Sequence, residues 1–189
     1  MLDDLVRKGS ADGMRTLARY YLRDGDKTQR KTALDLLEKA VALGDGNAMR
    51  TLADVYVAGR ETKRDFAKAE SLLDQAIAQD ILAAYRSKAL LLLKMPDTRY
   101  DQAMYWMKEA ASRGNARAMA DVGAMYEQGK GVPVDESEAR IWYGKSAELG
   151  DSSGARRFGQ SLYMGTGGPR DVENGVKWLE KSAAAGETD

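Results

Sequence analysis

Residues 114–150 read GNARAMADVGAMYEQGKGVPVDESEARIWYGKSAELG, and this stretch contains two short amphipathic segments separated by a loop. Small and apolar residues recur in each segment at the spacing of one helical face. They are Ala118, Met119, Val122, Gly123 and Tyr126 in the first segment, and Ala139, Trp142, Tyr143, Ser146 and Ala147 in the second. Gly129, Gly131 and Pro133 interrupt the pattern, because glycine permits positive φ and proline cannot continue a helix interior. The stretch therefore predicts a helical hairpin.

The ends of the second helix carry their own signals. Asp135, followed three residues later by Glu138, predicts an N-cap with a capping box. Gly150 stands where a left-handed residue would close the helix and start the next segment.

The closing glycine returns along the chain at intervals of 34 to 36 residues, with Asp80 in one place where glycine is missing. The series comprises Gly9, Gly44, Asp80, Gly114, Gly150 and Gly186. A single hairpin of this size cannot bury its apolar face, so neighbouring hairpins must stack. We predict an all-α superhelix, a solenoid of antiparallel helical hairpins. Its expected divisions are the end of a preceding repeat at 1–9 and five repeats at 10–44, 45–80, 81–114 (degenerate), 115–150 and 151–186.

One tryptophan column and one methionine column recur with the period of the repeat. Trp106, Trp142 and Trp178 lie 36 residues apart on the second helix of their repeats, and Met14, Met49 and Met119 share one position on the first helix. The positions favour packing between helices, since large apolar side chains at helical spacing usually belong to the core. An aromatic ligand platform and a methionine-rich binding surface are the alternatives.

Two runs, VGAMYEQGKGVPVD (122–135) and EARIWYGKSAELG (138–150), closely resemble the Sel1-like repeat (SLR), a relative of the tetratricopeptide repeat. FGQSLYMGTGGPRD (158–171) with VKWLEKSAAAG (176–186) is a second good match. The repeat that follows Asp80 departs most, because LLLLKMPDTRYD (90–101) replaces the glycine-containing loop. The resemblance implies a right-handed solenoid of about five repeats that acts as a scaffold or adaptor.

The amino-acid composition limits the kinds of catalytic, metal and nucleic-acid sites that the chain can form. The chain has no cysteine and no histidine, which removes Ser-His-Asp and Cys-His nucleophilic sites and argues against a zinc site. The glycine-rich run at 165–169 lacks the lysine of a phosphate-binding loop, so it is interpreted as a hairpin loop. Equal numbers of basic and acidic residues, 29 of each, argue against a nucleic-acid or anionic-membrane surface. We expect a non-enzyme without cofactor or metal.

The ends of the chain carry two further expectations. Residues 2–9 align with residues 37–44 at an offset of 35, as if the chain opened inside the second helix of another repeat. We therefore expect an excised segment of a longer array, in which open terminal faces permit self-association. The sequence shows no apolar run long enough for a membrane span and no signal-peptide pattern at its start. For the location of the protein, we favour the bacterial periplasm or envelope over the cytoplasm.

An arginine column suggests a binding surface. Arg15, Arg50, Arg86 and Arg156 occupy one repeat position, which only Ala120 interrupts. On a helical wheel Arg50 lies about 140° from the centre of the apolar face, so these side chains are expected to face solvent. The resemblance places the exposed side of the first helix inside the concave groove. With Arg19 and Arg157, the column is the candidate partner-binding site. The alternative is a solvated face with local ion pairs, for instance Arg50 with Asp54, and Arg15 with Arg19 partly balanced by Asp12.

Two functional hypotheses remain; the family resemblance implies the first, and the arginine column suggests the second. The first is a protein–protein interaction scaffold or adaptor of a bacterial complex, in envelope or exopolysaccharide secretion or in signalling. Its partner would bind the concave face formed by the first helices, or the hairpin loops. The second is direct binding of an acidic polysaccharide or small anionic ligand by the arginines, which salt would weaken steeply.

Overall fold

The computed structural model describes residue 6 and residues 8–186, and the elements within them are α-helices. Within residues 8–186, ten helices follow one another along the chain: α1 (Ala11–Asp24), α2 (Lys27–Ala42), α3 (Gly46–Ala58), α4 (Phe66–Ala78), α5 (Leu82–Lys94), α6 (Tyr100–Ser112), α7 (Ala116–Gln128), α8 (Glu136–Glu148), α9 (Ser152–Met164) and α10 (Val172–Gly186). Odd-numbered helices are the first helices of the predicted repeats and even-numbered helices the second. The predicted all-α class is confirmed.

The chain forms two compact units, residues 1–96 and 97–189. The first contains α1–α5 and the second contains α6–α10. Within each unit, helices that follow one another in a repeat pack as antiparallel hairpins, and first helices of neighbouring repeats lie against each other. The predicted helix at residues 1–9 falls largely outside the described residues. None of the helices within the described ranges is both long and apolar enough to cross a membrane.

Left-handed residues close the hairpins where the glycine column predicts them. Gly44, Gly114 and Gly150 have φ values of 84°, 82° and 85°. Asp80, in the place where glycine is missing, has a φ of 55° and is the one non-glycine residue with positive φ in the described part of the chain. Aspartate tolerates this region better than most residues. The backbone geometry of the repeat therefore persists where its usual residue does not.

The predicted cap of α8 is present. The Asp135 carboxylate accepts a hydrogen bond from the Glu138 backbone N–H at 2.9 Å. A reciprocal capping box is formed instead at the start of α2. There Asp26 accepts from the Gln29 backbone, and the Gln29 side chain accepts from the Asp26 N–H.

The core of each hairpin consists of small residues and leucines. Leu37 and Leu73 are 0% and 1% exposed. Met14 and Met49 are buried as expected, whereas Met119 is half-buried. All three tryptophans are half-buried as well. Trp178 packs edge-on against Phe158, and the Lys145 ammonium lies 4.3 Å from the centre of the Trp142 ring. Packing between helices, the favoured interpretation, is therefore present at Trp178, and Trp142 also contacts a lysine side chain.

In the second unit, a glycine in each hairpin loop touches the start of the preceding second helix. Gly131 and Gly167 have φ values of 74° and 70°. A Cβ added to Gly131 would lie 2.3 Å from the Tyr100 carbonyl oxygen, and one added to Gly167 would lie 2.1 Å from that of Glu136. The loops of repeats 4 and 5 thus rest directly on the backbone of the repeat before them.

Candidate partner-binding surface

The first helices of the first unit, α1, α3 and α5, lie side by side as one layer, and they carry the predicted arginines of that unit. We call this the helix-A surface. Arg15 and Arg19 belong to α1, Arg50 to α3 and Arg86 to α5. Arg156 and Arg157 belong to α9 in the second unit and are described separately.

The central feature of the helix-A surface is a charged cluster around Asp54, which we call the Asp54 cluster. The Arg50 Nη1 donates to the Asp54 carboxylate at 2.8 Å, within one turn of α3. Arg86, Ser87 and Lys94 of α5 interact with the same carboxylate. Three cations therefore act on the same carboxylate.

The Asp54 cluster is partly desolvated. Burial raises the pKa of the Asp54 carboxyl above its ordinary value of 3.8, and Arg50, Lys94 and Arg86 oppose that rise. The Asp54 side chain is 53% exposed, so we expect the rise in its pKa to be small. The native state consequently binds this proton more readily than the unfolded state does, and ionisation of Asp54 slightly lowers stability as pH increases through the folded pKa.

Arg50 is poorly satisfied in this cluster. Its side chain is 23% exposed, and its Nε is buried with no hydrogen-bond partner among the described residues. The expectation that Arg50 faces solvent is therefore wrong. α5 packs beside α3, and a wheel of one isolated helix cannot show such a neighbour.

Arg15 occupies a different environment. Its Nη1 donates to both carboxylate oxygens of Asp45, at 3.1 and 3.2 Å, and its Nη2 pairs with Asp12. Asp45 is the N-cap of α3, so the contact joins one repeat to the next. The side chains of Arg15 and Asp45 are only 17% and 11% exposed. The expected solvent-facing position of Arg15 is wrong for this reason, and the local pair with Asp12, which was the alternative, is present.

We expect Arg15→Ala to lower the free energy of unfolding by about 1–3 kcal/mol, because Asp45 would lose the guanidinium that balances its buried charge. Chemical denaturation followed by circular dichroism measures this change. Arg19→Ala is the matched control: Arg19 lies on the same helix, is exposed and makes no ion pair among the described residues, so its removal should change stability by less than about 0.5 kcal/mol. Equal effects of the two variants would contradict the inter-repeat role of Arg15.

In the second unit, Arg156 is exposed whereas Arg157 is half-buried and paired. The Arg157 Nη1 lies 3.5 Å from Glu127 Oε2, and the Tyr143 hydroxyl donates to the same oxygen at 2.9 Å. Burial raises the pKa of Tyr143, which keeps its hydroxyl protonated as a donor. These groups line a cavity of about 250 Å³ in which the charges are balanced.

Sequence reasoning identified the arginines and the Arg50–Asp54 pair but missed Ser87 and Lys94. Lys94 follows Arg86 by eight residues on α5, a spacing that places the two on one helical face and could have revealed it. No group of His, Cys, Asp or Glu within the described ranges is arranged to hold a metal ion.

Comparison with known proteins identifies the repeats. The Sel1 repeat profile matches residues 11–45, 46–81, 96–115, 116–151 and 152–187. The third match is short and omits the first helix of that repeat, α5, in agreement with its atypical loop sequence. None of the curated proteins matches the chain.

Several solved structures are similar. A Sel1 repeat protein from Oxalobacter formigenes is 25% identical with a TM-score of 0.77, over 94% of this chain and 72% of its own. A protective antigen of uropathogenic Escherichia coli strains that displays an SLR fold is 31% identical with a TM-score of 0.72, over 81% of this chain and 33% of its own. A putative Sel1 repeat protein from Klebsiella pneumoniae shares the fold at 21% identity and a TM-score of 0.65, over 98% and 91% of the two chains.

Proposed function

Because the chain belongs to the Sel1 repeat family, whose members generally mediate protein–protein interactions, we propose that it is a scaffold or adaptor that binds a partner protein through the helix-A surface of its first unit. Sel1 repeat scaffolds are generally non-enzymatic, and we propose the same of this chain. The similar structures described above come from bacteria, which supports a bacterial complex as its setting.

The observation that carries this proposal is the Asp54 cluster. Arg50, Arg86 and Lys94 surround a single carboxylate, and the Arg50 Nε is buried without a partner. Guanidinium groups bind carboxylates with two parallel hydrogen bonds and carry a smaller desolvation cost than ammonium groups. A partner that presents an acidic side chain would be complementary in charge to these three cations.

The proposed contact residues of the helix-A surface are Arg19, Arg50 and Arg86, and the exposed Arg156 is a separate candidate on the second unit. Arg15 is left out of this set because Asp12 and Asp45 already hold its guanidinium. A partner bound through such charges associates quickly at low salt, and its affinity decreases as ionic strength rises.

The test is affinity capture from bacterial lysate with the wild-type chain, followed by titration of each captured protein against an Arg19→Ala, Arg50→Ala, Arg86→Ala triple variant. We expect the variant to weaken the specific partner by at least about tenfold, because several charge pairs are lost together. A triple variant of Lys145, Lys177 and Lys181 to alanine carries the same change in net charge on the second unit and should bind as the wild type does.

Two outcomes would overturn the proposal. Equal partner affinity of the wild type and the arginine variant would move the site away from the helix-A surface. Capture of no protein, together with binding of a uronic-acid oligomer that the arginine variant loses, would favour the acidic-polysaccharide hypothesis instead.

A further inference from the structure

A second surface of the first unit carries several cations that make no ion pair with a described residue. A cleft of about 570 Å³ lies between the first turns of α2 and the loop that joins α3 to α4. Its lining includes Lys27, Arg30, Lys31, Leu34, Arg60 and Glu61. We call it the basic cleft, since four cations and one carboxylate line it. Its volume lies within the range of specific binding sites, about 300–1,000 Å³.

The cations of the basic cleft have few partners of their own. Lys27, Lys31 and Arg60 are exposed, and none of them makes an ion pair with another described residue. Arg30 is half-buried and donates from Nε to the Gly25 carbonyl oxygen at 3.1 Å. Its two terminal nitrogens have no hydrogen-bond partner in the described part of the chain. The cleft therefore contains a guanidinium that is held at Nε and whose two terminal nitrogens are available to a ligand.

Glu61 in the lining and Asp26 beside it are two acidic side chains near four cations, so they offset only part of the positive charge. Asp26 caps α2, and its Oδ1 accepts from the backbone N–H groups of Thr28 and Gln29 at 2.8 Å each. Leu34 adds an apolar element, and its half-buried side chain packs against the core of the first hairpin. The cleft thus combines positive charge with one partly exposed aliphatic contact.

The corresponding cleft of the second unit lacks this character. There Ser137 replaces Lys31 and Gly167 replaces Glu61, at a constant offset of 106 residues. Its two cations are engaged, since Arg140 donates to the Pro169 carbonyl oxygen at 2.9 Å and Lys145 lies over the Trp142 ring. The unpaired charge is therefore a property of the first-unit cleft and is not imposed by the repeat geometry.

We propose that the basic cleft is a second docking site, which binds an acidic, extended segment of a partner protein. Carboxylates of the segment would pair with Arg30, Lys31 and Arg60, and an apolar side chain would contact Leu34. A peptide fits better than a membrane surface, because the cations line a recess between a helix and a loop. Membrane-surface sites instead present basic residues beside a broad projecting apolar face. The inference rests on the proposed scaffold function for the class of partner, but it uses a different surface.

Fluorescence anisotropy with a labelled peptide Glu-Glu-Leu-Glu-Glu, and with its neutral analogue Gln-Gln-Leu-Gln-Gln, tests the site on the full chain. We expect the acidic peptide to bind and the neutral analogue to bind at least about tenfold more weakly, with affinity for the acidic peptide decreasing as salt is raised. The variant K27Q/K31Q/R60Q should weaken the acidic peptide at least about tenfold. Arg30 is kept because it also holds the Gly25 carbonyl oxygen.

Two control variants separate this site from other effects. K145Q/K177Q/K181Q has the same change in net charge and should bind the peptide as the wild type does. The helix-A variant Arg19→Ala, Arg50→Ala, Arg86→Ala should also retain the peptide, so that failure of the proposed function and failure of this site give different results.

Three results would overturn the proposal. These are equal binding of the acidic and neutral peptides, equal loss in the cleft variant and the charge-matched control, and loss in the helix-A variant alone. Binding to vesicles containing phosphatidylserine without binding to the acidic peptide would likewise overturn it and assign the cleft to a membrane surface.

Discussion

Gly167→Ala should lower the free energy of unfolding by about 2–4 kcal/mol, one of the two largest effects that we expect from a single substitution. Two costs combine at this position. The φ of 70° is strained for a residue with a Cβ, and that Cβ would lie 2.1 Å from the Glu136 carbonyl oxygen. The oxygen belongs to helix backbone, so relief of the clash requires the loop to move away from α8. Urea denaturation of the two proteins measures the difference.

Gly150→Ala is the control that separates the two costs. Gly150 has a φ of 85°, but an added Cβ would meet nothing within 4 Å. We expect this variant to be destabilised only by the strain of a positive φ, which costs about 1–2 kcal/mol. Gly131→Ala should resemble Gly167→Ala, because its Cβ would lie 2.3 Å from the Tyr100 carbonyl oxygen. If all three variants lose the same stability, contact between the loop and the preceding helix contributes nothing beyond the φ requirement.

Leu37→Ala should lower the free energy of unfolding by about 2–5 kcal/mol. Leu37 is 0% exposed and belongs to the cluster of buried side chains from α1, α2 and α3. Its truncation would leave a cavity that these helices cannot fill without moving. Thermal and urea unfolding report the loss.

Leu43→Ala serves as the matched control for the same leucine-to-alanine change. Leu43 caps the C-terminal end of α2 and is 59% exposed, so its truncation should change stability by less than about 0.5 kcal/mol. A Leu37→Ala protein as stable as the Leu43→Ala protein would show that the first hairpin core tolerates a cavity.

Much of the fold could be predicted from sequence because its determinants are local and repeated. The apolar spacing in residues 114–150 defines both helices, and the glycine column locates the left-handed residues. Asp80 was recognised by its position in that column alone, and its φ of 55° agrees. The position of the capping box was harder to predict. The reciprocal bond occurs at Asp26, and the Asp–x–x–Glu pattern of α8 supplies suitable residues but does not fix the side-chain conformation.

The candidate site was only partly predictable, because its contacts cross between helices. Helical spacing gathered the arginines into one column, yet exposure depends on what lies beside each helix. Arg15 reaches Asp45, which is 30 residues further along the chain, and this pairing has no signal within either helix. The basic cleft likewise joins α2 to a loop about 30 residues away, so Arg60 is distant in sequence from the three cations of α2.

The bond between Arg15 and Asp45 also limits how the repeats could be rearranged. Asp45 begins α3 in a position where Ile81 begins α5, and Ile81 offers no carboxylate. Arg50, which corresponds to Arg15, is bound instead to Asp54 of its own helix. A repeat that begins with Asp45 is therefore suited to a predecessor that supplies a free guanidinium, and one that begins with Ile81 is not. The repeats of the first unit are therefore not interchangeable, because the residue at the N-terminal end of each repeat suits only certain preceding repeats.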